Sequence, residues 1–207
     1  MLRVGVLALQ GDFAAHGKVL DALGVEWRLV KTSHELAQVQ GLIIPGGEST
    51  TLLKLMAPIA MRPALEQFHA EGHPIFGTCA GLILLAQETI RPQQESLGFI
   101  NIVAERNAYG RQIDSFIDLG KPLIEDLGPA PLEMVFIRAP KIAELRDGVT
   151  ALATCKDEIV LARQGSVLVS SFHPELTADR RVHQYFLDMI TAASHALSLQ
   201  TQQPSPV

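Results

Sequence analysis

Pro74-Ile75-Phe76-Gly77-Thr78-Cys79-Ala80-Gly81-Leu82-Ile83-Leu84-Leu85 reads as a short apolar strand that passes through a glycine-bracketed cysteine and straight out into an apolar helix. The spacing Gly-x-Cys-x-Gly is that of a nucleophile elbow with cysteine in place of serine. Turning from strand to helix within a few residues puts the central residue in a strained conformation and leaves no room for side chains two positions either side. The cysteine is then presented at the carboxyl end of a strand and the start of a helix, where unpaired N–H groups and the helix dipole favour thiolate over thiol. The next residue, Ala80, offers a backbone N–H toward an oxyanion. Most cysteines are inert core residues; here the two glycines and the strand-to-helix context favour a nucleophile. Cys155, in Ala153-Thr154-Cys155-Lys156-Asp157, has no such frame and reads as a bystander.

Outward from the elbow, the first half alternates hydrophobic periods. Arg3 to Leu9, Val25 to Val30, Gly41 to Ile44 and Pro74 to Phe76 are short apolar runs of the kind covered on both faces. Between them lie helical patterns: Phe13 to Leu23, stopped by Gly24; His34 to Val39 after a Thr32-Ser33 cap; Ser49 to His69, which Pro58 and Pro63 must kink or divide; and Ala80 to Glu88. Such alternation predicts an α/β fold, a layered, largely parallel open sheet of flavodoxin-like type with helices on both faces. In the second half, Phe99 to Glu105, Ile113 to Leu119, Glu133 to Ile137, Ala151 to Cys155, Ile159 to Arg163 and Val167 to Phe172 are strand-like. Pro122, Pro129, Pro131 and Pro140 cluster among apolar residues, as in a packed excursion and not a linker. Thr177 is the expected cap of a last helix running to about Leu199, with Val182, Phe186, Met189, Ile190 and Ala193 on one stripe. Residues 1–199 are expected to form one domain, and 200–207 a flexible tail.

The 207 residues suit one large domain or two small ones, and 47% hydrophobic against 19% charged residues is an ordinary globular composition. A net charge of -5 with no basic stripe argues against nucleic acid as a partner. Two cysteines make neither a disulfide framework nor a four-thiolate metal site, although one bridge remains open on numbers alone. No histidine and cysteine spacing suits zinc, and no phosphate loop is present. The N-terminal run ends without a small-residue cleavage site, and the apolar runs fall far short of the roughly 20 residues a membrane helix needs. A soluble, cytoplasmic protein without membrane attachment is expected.

A thiol needs a base, and seven histidines compete. His16, His34, His69, His73, His183 and His195 sit among polar neighbours and fit solvated positions. His173 ends the apolar strand Val167 to Phe172 and precedes Pro174-Glu175. At a strand's carboxyl end it shares a sheet edge with the elbow, where open α/β sheets place their sites, and Glu175 can accept from its second ring nitrogen. A turn before a helix explains His-Pro-Glu less fully. In Pro45-Gly46-Gly47-Glu48-Ser49-Thr50, the two glycines fit an anion-facing backbone equally as well as a plain turn capped by Ser49.

Taken together, these pieces resemble the class I (triad) glutamine amidotransferases, and more narrowly the glutaminase subunits of pyridoxal 5'-phosphate synthases. The narrower likeness rests on Leu7-Ala8-Leu9-Gln10-Gly11, Pro45 to Thr50, Gly77 to Gly81, Arg106-Asn107-Ala108-Tyr109-Gly110-Arg111-Gln112, Phe136-Ile137-Arg138-Ala139-Pro140 and Phe172-His173-Pro174-Glu175-Leu176. It implies hydrolysis of L-glutamine to L-glutamate and ammonia, with Cys79 as nucleophile, His173 as acid and base, and Glu175 orienting His173. It implies an oxyanion hole at the N–H groups of Gly47 and Ala80. It also implies substrate contacts at Gly47, Glu48, Ser49, Arg106, Ile137 and Arg138, with an acid for the α-ammonium and an arginine for the α-carboxylate. From the residues alone, Arg106 and Arg138 fit surface charges as well. No cofactor or metal is implied. The implied partner is a separate synthase subunit, in a multi-subunit complex, that condenses two sugar phosphates with the released ammonia. Gln10 is the implied contact at that junction, although a polar turn residue reads the same way.

Two other functions fit parts of this pattern. The same triad supplies ammonia to acceptors in histidine or purine synthesis, which the Arg106 to Gln112 stretch disfavours. A thiol sensor or idle partner on the same fold needs no acid to fix a histidine tautomer, so the Cys79, His173 and Glu175 set disfavours it.

Overall fold

The computed structural model describes residues 2–106, 108 and 115–200. Its first half alternates β1 (Arg3–Leu7), α1 (Phe13–Ala22), β2 (Glu26–Val30), α2 (Ser33–Leu36), β3 (Gly41–Ile44), α3 (Ser49–Met56), α4 (Met61–Ala70), β4 (Ile75–Thr78) and α5 (Ala80–Leu85). There follow β5 (Ala86–Ile90), β6 (Ile100–Glu105), β7 (Ser115–Pro122), β8 (Leu132–Ile137), β9 (Lys141–Leu145), β10 (Thr150–Cys155), β11 (Glu158–Gln164), β12 (Val167–Ser170) and the long α6 (Arg181–Gln200).

Nine strands form one sheet in the order β2-β1-β3-β4-β12-β11-β10-β7-β8. The pairings from β2 through β12 are parallel, as the strand–helix alternation requires. Those from β12 through β8 are antiparallel and join by short connections or, for β7 and β10, across the chain. A three-stranded sheet, β5-β6-β9, stands apart.

The period-two alternation of the central strands divides the interior into two layers. Val4, Val6, Ile43, Phe76 and Leu168 point to a layer shared with Phe172, Leu20 of α1, and Val182, Phe186 and Ile190 of α6. Leu7, Leu42, Ile44, Ile75, Val167 and Val169 point the other way, toward Leu52, Met56, Leu65 and Phe68 of α3 and α4 and Ile100 and Ile102 of β6. Both faces of β1, β3, β4 and β12 are therefore dry, whereas β2 at the edge is only partly covered.

Several boundaries differ from the sequence reading for local reasons. Ser49 does not cap α3: the Glu48 side chain accepts from the Thr50 and Thr51 N–H groups and takes that place. Pro58 sits in a 3-10 turn that separates α3 from α4, whereas Pro63 lies in the first turn of α4, where a missing N–H costs nothing. α5 stops at Leu85, because Ala86 turns extended (ψ 149°) and opens β5 on β6. β9 has no alternating apolar pattern and forms because β6 offers it an edge. Thr177 does not cap α6; its hydroxyl accepts from Asp179 N, and Asp179 Oδ1 accepts from Arg181 N at the helix start. The proline-rich excursion is packed, with Leu127 and Leu132 buried. The Arg181 guanidinium donates to the carbonyls of Leu127, Ala130 and Pro131, each at 2.7 Å. Of the tail, 201–207 lie outside the described residues, as do 113 and 114 of the strand expected there.

Backbone packs closely at the crossing from β4 to α5. A Cβ on Gly77 would stand 2.6 Å from the Gly81 carbonyl carbon, and one on Gly81 would stand 2.3 Å from the Ile44 carbonyl oxygen. Backbone meets backbone at both points, so no rotamer change relieves the clash. Gly81→Ala is expected to cost about 1–3 kcal/mol and to lower the urea midpoint at constant m-value. An unchanged midpoint would show that the helix can lift from the sheet without loss.

Candidate active site

β4 and β12 are hydrogen-bonded parallel neighbours in which Thr78 pairs with Ser170. Cys79 follows Thr78, its N–H donating to Ser170 O at 2.9 Å. His173 lies three residues beyond Ser170, its N–H donating to Val135 O at 2.8 Å. One strand pairing thus closes the gap between two residues far apart in the chain. Gly46 and Gly47 follow β3, whose Ile44 pairs with Gly77, and Gln10 follows β1. Every piece comes from the carboxyl end of a parallel strand, the edge where such sheets leave a crevice.

Cys79 holds φ 49° and ψ −102°, a left-handed conformation costly for a residue with a Cβ. Its Sγ lies 4.0 Å from the Ile137 carbonyl oxygen, and the thiol helps hold the proton on His173. The other ring nitrogen, His173 Nδ1, is 2.7 Å from Glu175 Oε1. Both side chains are almost wholly buried. Burial acts most strongly on the imidazolium and disfavours it, but the hydrogen bonds with Cys79 and Glu175 outweigh burial and push His173 up to about 10. For Glu175 burial again opposes the charge, and His16 and His173 override it, holding the carboxyl at about 2. His16 is kept below its ordinary value by its own burial, so at neutral pH the short bond from His173 is what sustains the carboxylate.

A cleft of about 350 Å³ opens over Cys79 and His173, and Gln10, Gly47, Glu48, Ser49, Arg106, Ile137 and Arg138 all line it. Ala80 and Glu175 are buried beneath. Gly46, which the sequence reading took only together with Gly47 as a turn, also makes room for the imidazole: a Cβ there would stand 2.5 Å from the His173 ring and 3.3 Å from Cys79 Cβ. A Cβ on Gly47 would stand 2.4 Å from Gln10 Oε1, which accepts from the Glu48 N–H at 2.8 Å. Gln10 therefore fixes the peptide beside the nucleophile. Hydrogen bonds from the Thr50 and Thr51 side chains, then from their backbones, hold Glu48 at about 2 despite some burial. Arg106 Nη2 lies 3.9 Å from Glu48 Oε1. The Ser49 hydroxyl faces away, donating to Gln94 Oε1 at 2.9 Å. Arg138 is exposed and has φ 44°, a second left-handed residue at the rim. Of the Arg106 to Gln112 stretch, 107 and 109–112 lie outside the described residues.

Two histidines assigned to solvent are in fact wholly buried. His16 and His183 are 0% exposed, on the inner faces of α1 and α6. His16 Nε2 reaches Thr78 Oγ1 at 3.3 Å and Glu175 Oε2 at 3.5 Å. Helical spacing from Phe13 and Val19 places position 16 inward, but no sequence pattern shows what it meets there. His69 and His73 are half-buried and stack on Phe99 and Phe68. Cys79 and Cys155 are both free thiols, so no bridge joins them.

Residues 6–192 match the SNO glutamine amidotransferase family. This chain belongs to that family. Among its curated relatives, the pyridoxal 5'-phosphate synthase subunit PdxT of Thermosipho africanus is 49% identical, covering 91% of this chain and 99% of that protein. PdxT of Moorella thermoacetica is 50% identical over 91% of this chain and 100% of its own. A crystal structure of a glutamine amidotransferase superposes at a TM-score of 0.84 with 46% identity, covering 91% and 98% of the two chains. The PurLQS structure from Thermotoga maritima, at 16% identity and a TM-score of 0.71, shares the fold alone.

In this family member the buried pair carries a definite pH dependence. His173 binds its proton more tightly folded than unfolded, so its stabilisation is full below 6.5 and fades as pH rises toward about 10. Glu175 has the opposite sign: its contribution is present above 4.5 and fades as pH falls toward about 2. Replacing Glu175 with Gln keeps an acceptor oxygen but removes the negative charge that helps lift His173, so the ring's NMR titration midpoint should fall. A midpoint that stays put would assign the lift to Cys79 alone.

Proposed function

We propose that this chain hydrolyses L-glutamine to L-glutamate and ammonia with Cys79, His173 and Glu175, and passes the ammonia to the synthase subunit of a pyridoxal 5'-phosphate synthase. The observation that carries the reading is the convergence of three groups. A strained cysteine, a histidine on its sulfur and a buried carboxylate 2.7 Å behind that histidine occupy one cleft edge. Membership of a glutamine amidotransferase family and near-full-length likeness to PdxT subunits support the substrate and the partner.

The steps balance without any further group. Cys79 Sγ attacks the side-chain amide carbon, and the oxyanion is received by the N–H groups of Gly47 and Ala80. The Ala80 N–H opens α5 and has no helical acceptor of its own. His173 gives its proton to the departing nitrogen, ammonia leaves, and a thioester remains. The neutral ring then takes a proton from water, whose oxygen displaces the sulfur and releases glutamate. Glu175 holds the ring in one orientation and stabilises its charge through both steps. Glu48 and Arg106, side by side at 3.9 Å, suit the ammonium and carboxylate that an amino acid carries on one carbon. Ile137 and Arg138 close the same cleft, and Ser49 contributes its backbone, since its hydroxyl is engaged elsewhere. Gln10, which holds the Glu48 N–H of the peptide next to the Gly47 N–H, is the contact we assign to docking of the synthase. We read residues 1–199 as one catalytic unit working in the cytoplasm, with 200–207 as a tail outside the chemistry.

Glutaminase activity is measured with and without the synthase, with ammonium salt as a bypass for the second half-reaction. Cys79→Ala is expected to release no ammonia from glutamine while still binding the synthase. Release at the wild-type rate would remove Cys79 from the mechanism. His173→Asn is expected to lose far more turnover than substitutions at His69 or His195, and equal losses at all three would mean that another group is the base.

A further inference from the structure

The second oxygen of Glu175 is the least explained atom of the site. Oε1 takes the His173 bond, whereas Oε2 is buried without a hydrogen-bond partner among the described residues. His16 Nε2 lies 3.5 Å from it and 3.3 Å from Thr78 Oγ1, on the residue before the nucleophile. Behind it, His16 Nδ1 is 3.0 Å from His183 Nε2. His183 Nδ1 is itself buried without a partner. The row His183–His16–Glu175–His173–Cys79 thus runs from α6 through α1 to the sulfur.

Only one assignment of protons satisfies this row. A hydrogen on His16 Nδ1 would leave the bare Nε2 lone pair facing a carboxylate. It would also force the His183 proton onto Nδ1, leaving an orphaned buried N–H, the costlier kind of unsatisfied group. With both protons on the Nε2 atoms, His183 donates to His16 Nδ1, and His16 Nε2–H faces Thr78 Oγ1 and Glu175 Oε2. His183 Nδ1 is then merely an unused acceptor.

We propose that His16 is a positioning residue of the reaction, a neutral Nε2–H donor to the second oxygen of Glu175, with His183 fixing its tautomer. The inference rests on the glutaminase reading above. At 3.5 Å the contact is longer than a hydrogen bond, and it shortens when His173 cycles between charged and neutral forms and the carboxylate must stay in place. Burial lowers both histidines, His183 to about 3; His173 acts on His16, and His16 on His183, in the same direction, while Glu175 opposes the shift at each. The groups that would charge His16, Glu175 and Asp12, do not overcome burial. A permanently neutral donor is what a carboxylate needs when its own charge must serve a different ring.

The test compares His16→Leu with His16→Gln, whose amide nitrogen reaches the Nε2 position, in the assembled complex with the synthase. Histidine tautomers are read separately, by ¹⁵N NMR of the unmutated free chain. His16→Leu is expected to lower kcat about ten- to a hundredfold with KM nearly unchanged, and to move the basic limb of the kcat–pH profile to lower pH. His16→Gln is expected to restore most of both. NMR is expected to show both buried rings protonated at Nε2 and neutral between pH 6 and about 8. Wild-type kcat and an unmoved limb in His16→Leu, equal loss in both variants, or an Nδ1–H tautomer at His16 would each overturn the role. A wild-type complex that releases no ammonia would instead strike the glutaminase reading, and the tautomers would still decide His16.

Discussion

Thr78 and Ser170 face each other across two neighbouring parallel strands, and the chemistry of this molecule follows from that register. Because a strand's side chains alternate with period two, a slip of one residue would exchange the two buried faces of β12 and send each side chain into the layer packed for its neighbours. With Val167 and Val169 in one apolar layer and Leu168 in the other, such a slip is costly. The same register that keeps the core dry therefore fixes how far past the sheet edge Cys79 and His173 emerge.

Close backbone approach does the remaining positioning. The helix that follows Cys79 can start at once because Gly77 and Gly81 let β4, α5 and the end of β3 touch. Gly46 does the same for the imidazole, lying where any side chain would enter the ring. The left-handed backbone of Cys79 is held by packing on all sides, and its thiol stands at the cleft in place of the core. Strain at this residue and compactness around it are two aspects of one arrangement.

Electrostatically, the site is layered. Neutral rings on α1 and α6 lie deepest, the Glu175 carboxylate lies next, and the His173 ring separates it from the sulfur and the cleft. Burial opposes every charge in this stack, so the charged members persist only through their partners. At the cleft wall the arrangement differs: Glu48 is exposed and is held ionised by local Thr50 and Thr51 donors, with Arg106 beside it.

Much of this was legible in the chain itself. The Gly-x-Cys-x-Gly elbow, the alternating strands and helices of the first half, and the His-Pro-Glu that ends an apolar strand are local patterns set by sterics and by period, and both kinds of rule act over a few residues. The short reach of those rules is also where the reading failed. Whether Ala86 continues a helix or opens a strand depends on β6, and β9 exists because β6 has a free edge. Helical spacing hints that His16 faces inward, but no sequence mark shows what His16 and His183 meet, since what buries them is the meeting of α1, α6 and the sheet edge. The sequence by itself determined which residues have the chemistry to act and which local turns present them. Tertiary structure decided which of them meet, because distance across a fold is set by strand order and layer packing, and neither is encoded within any single stretch.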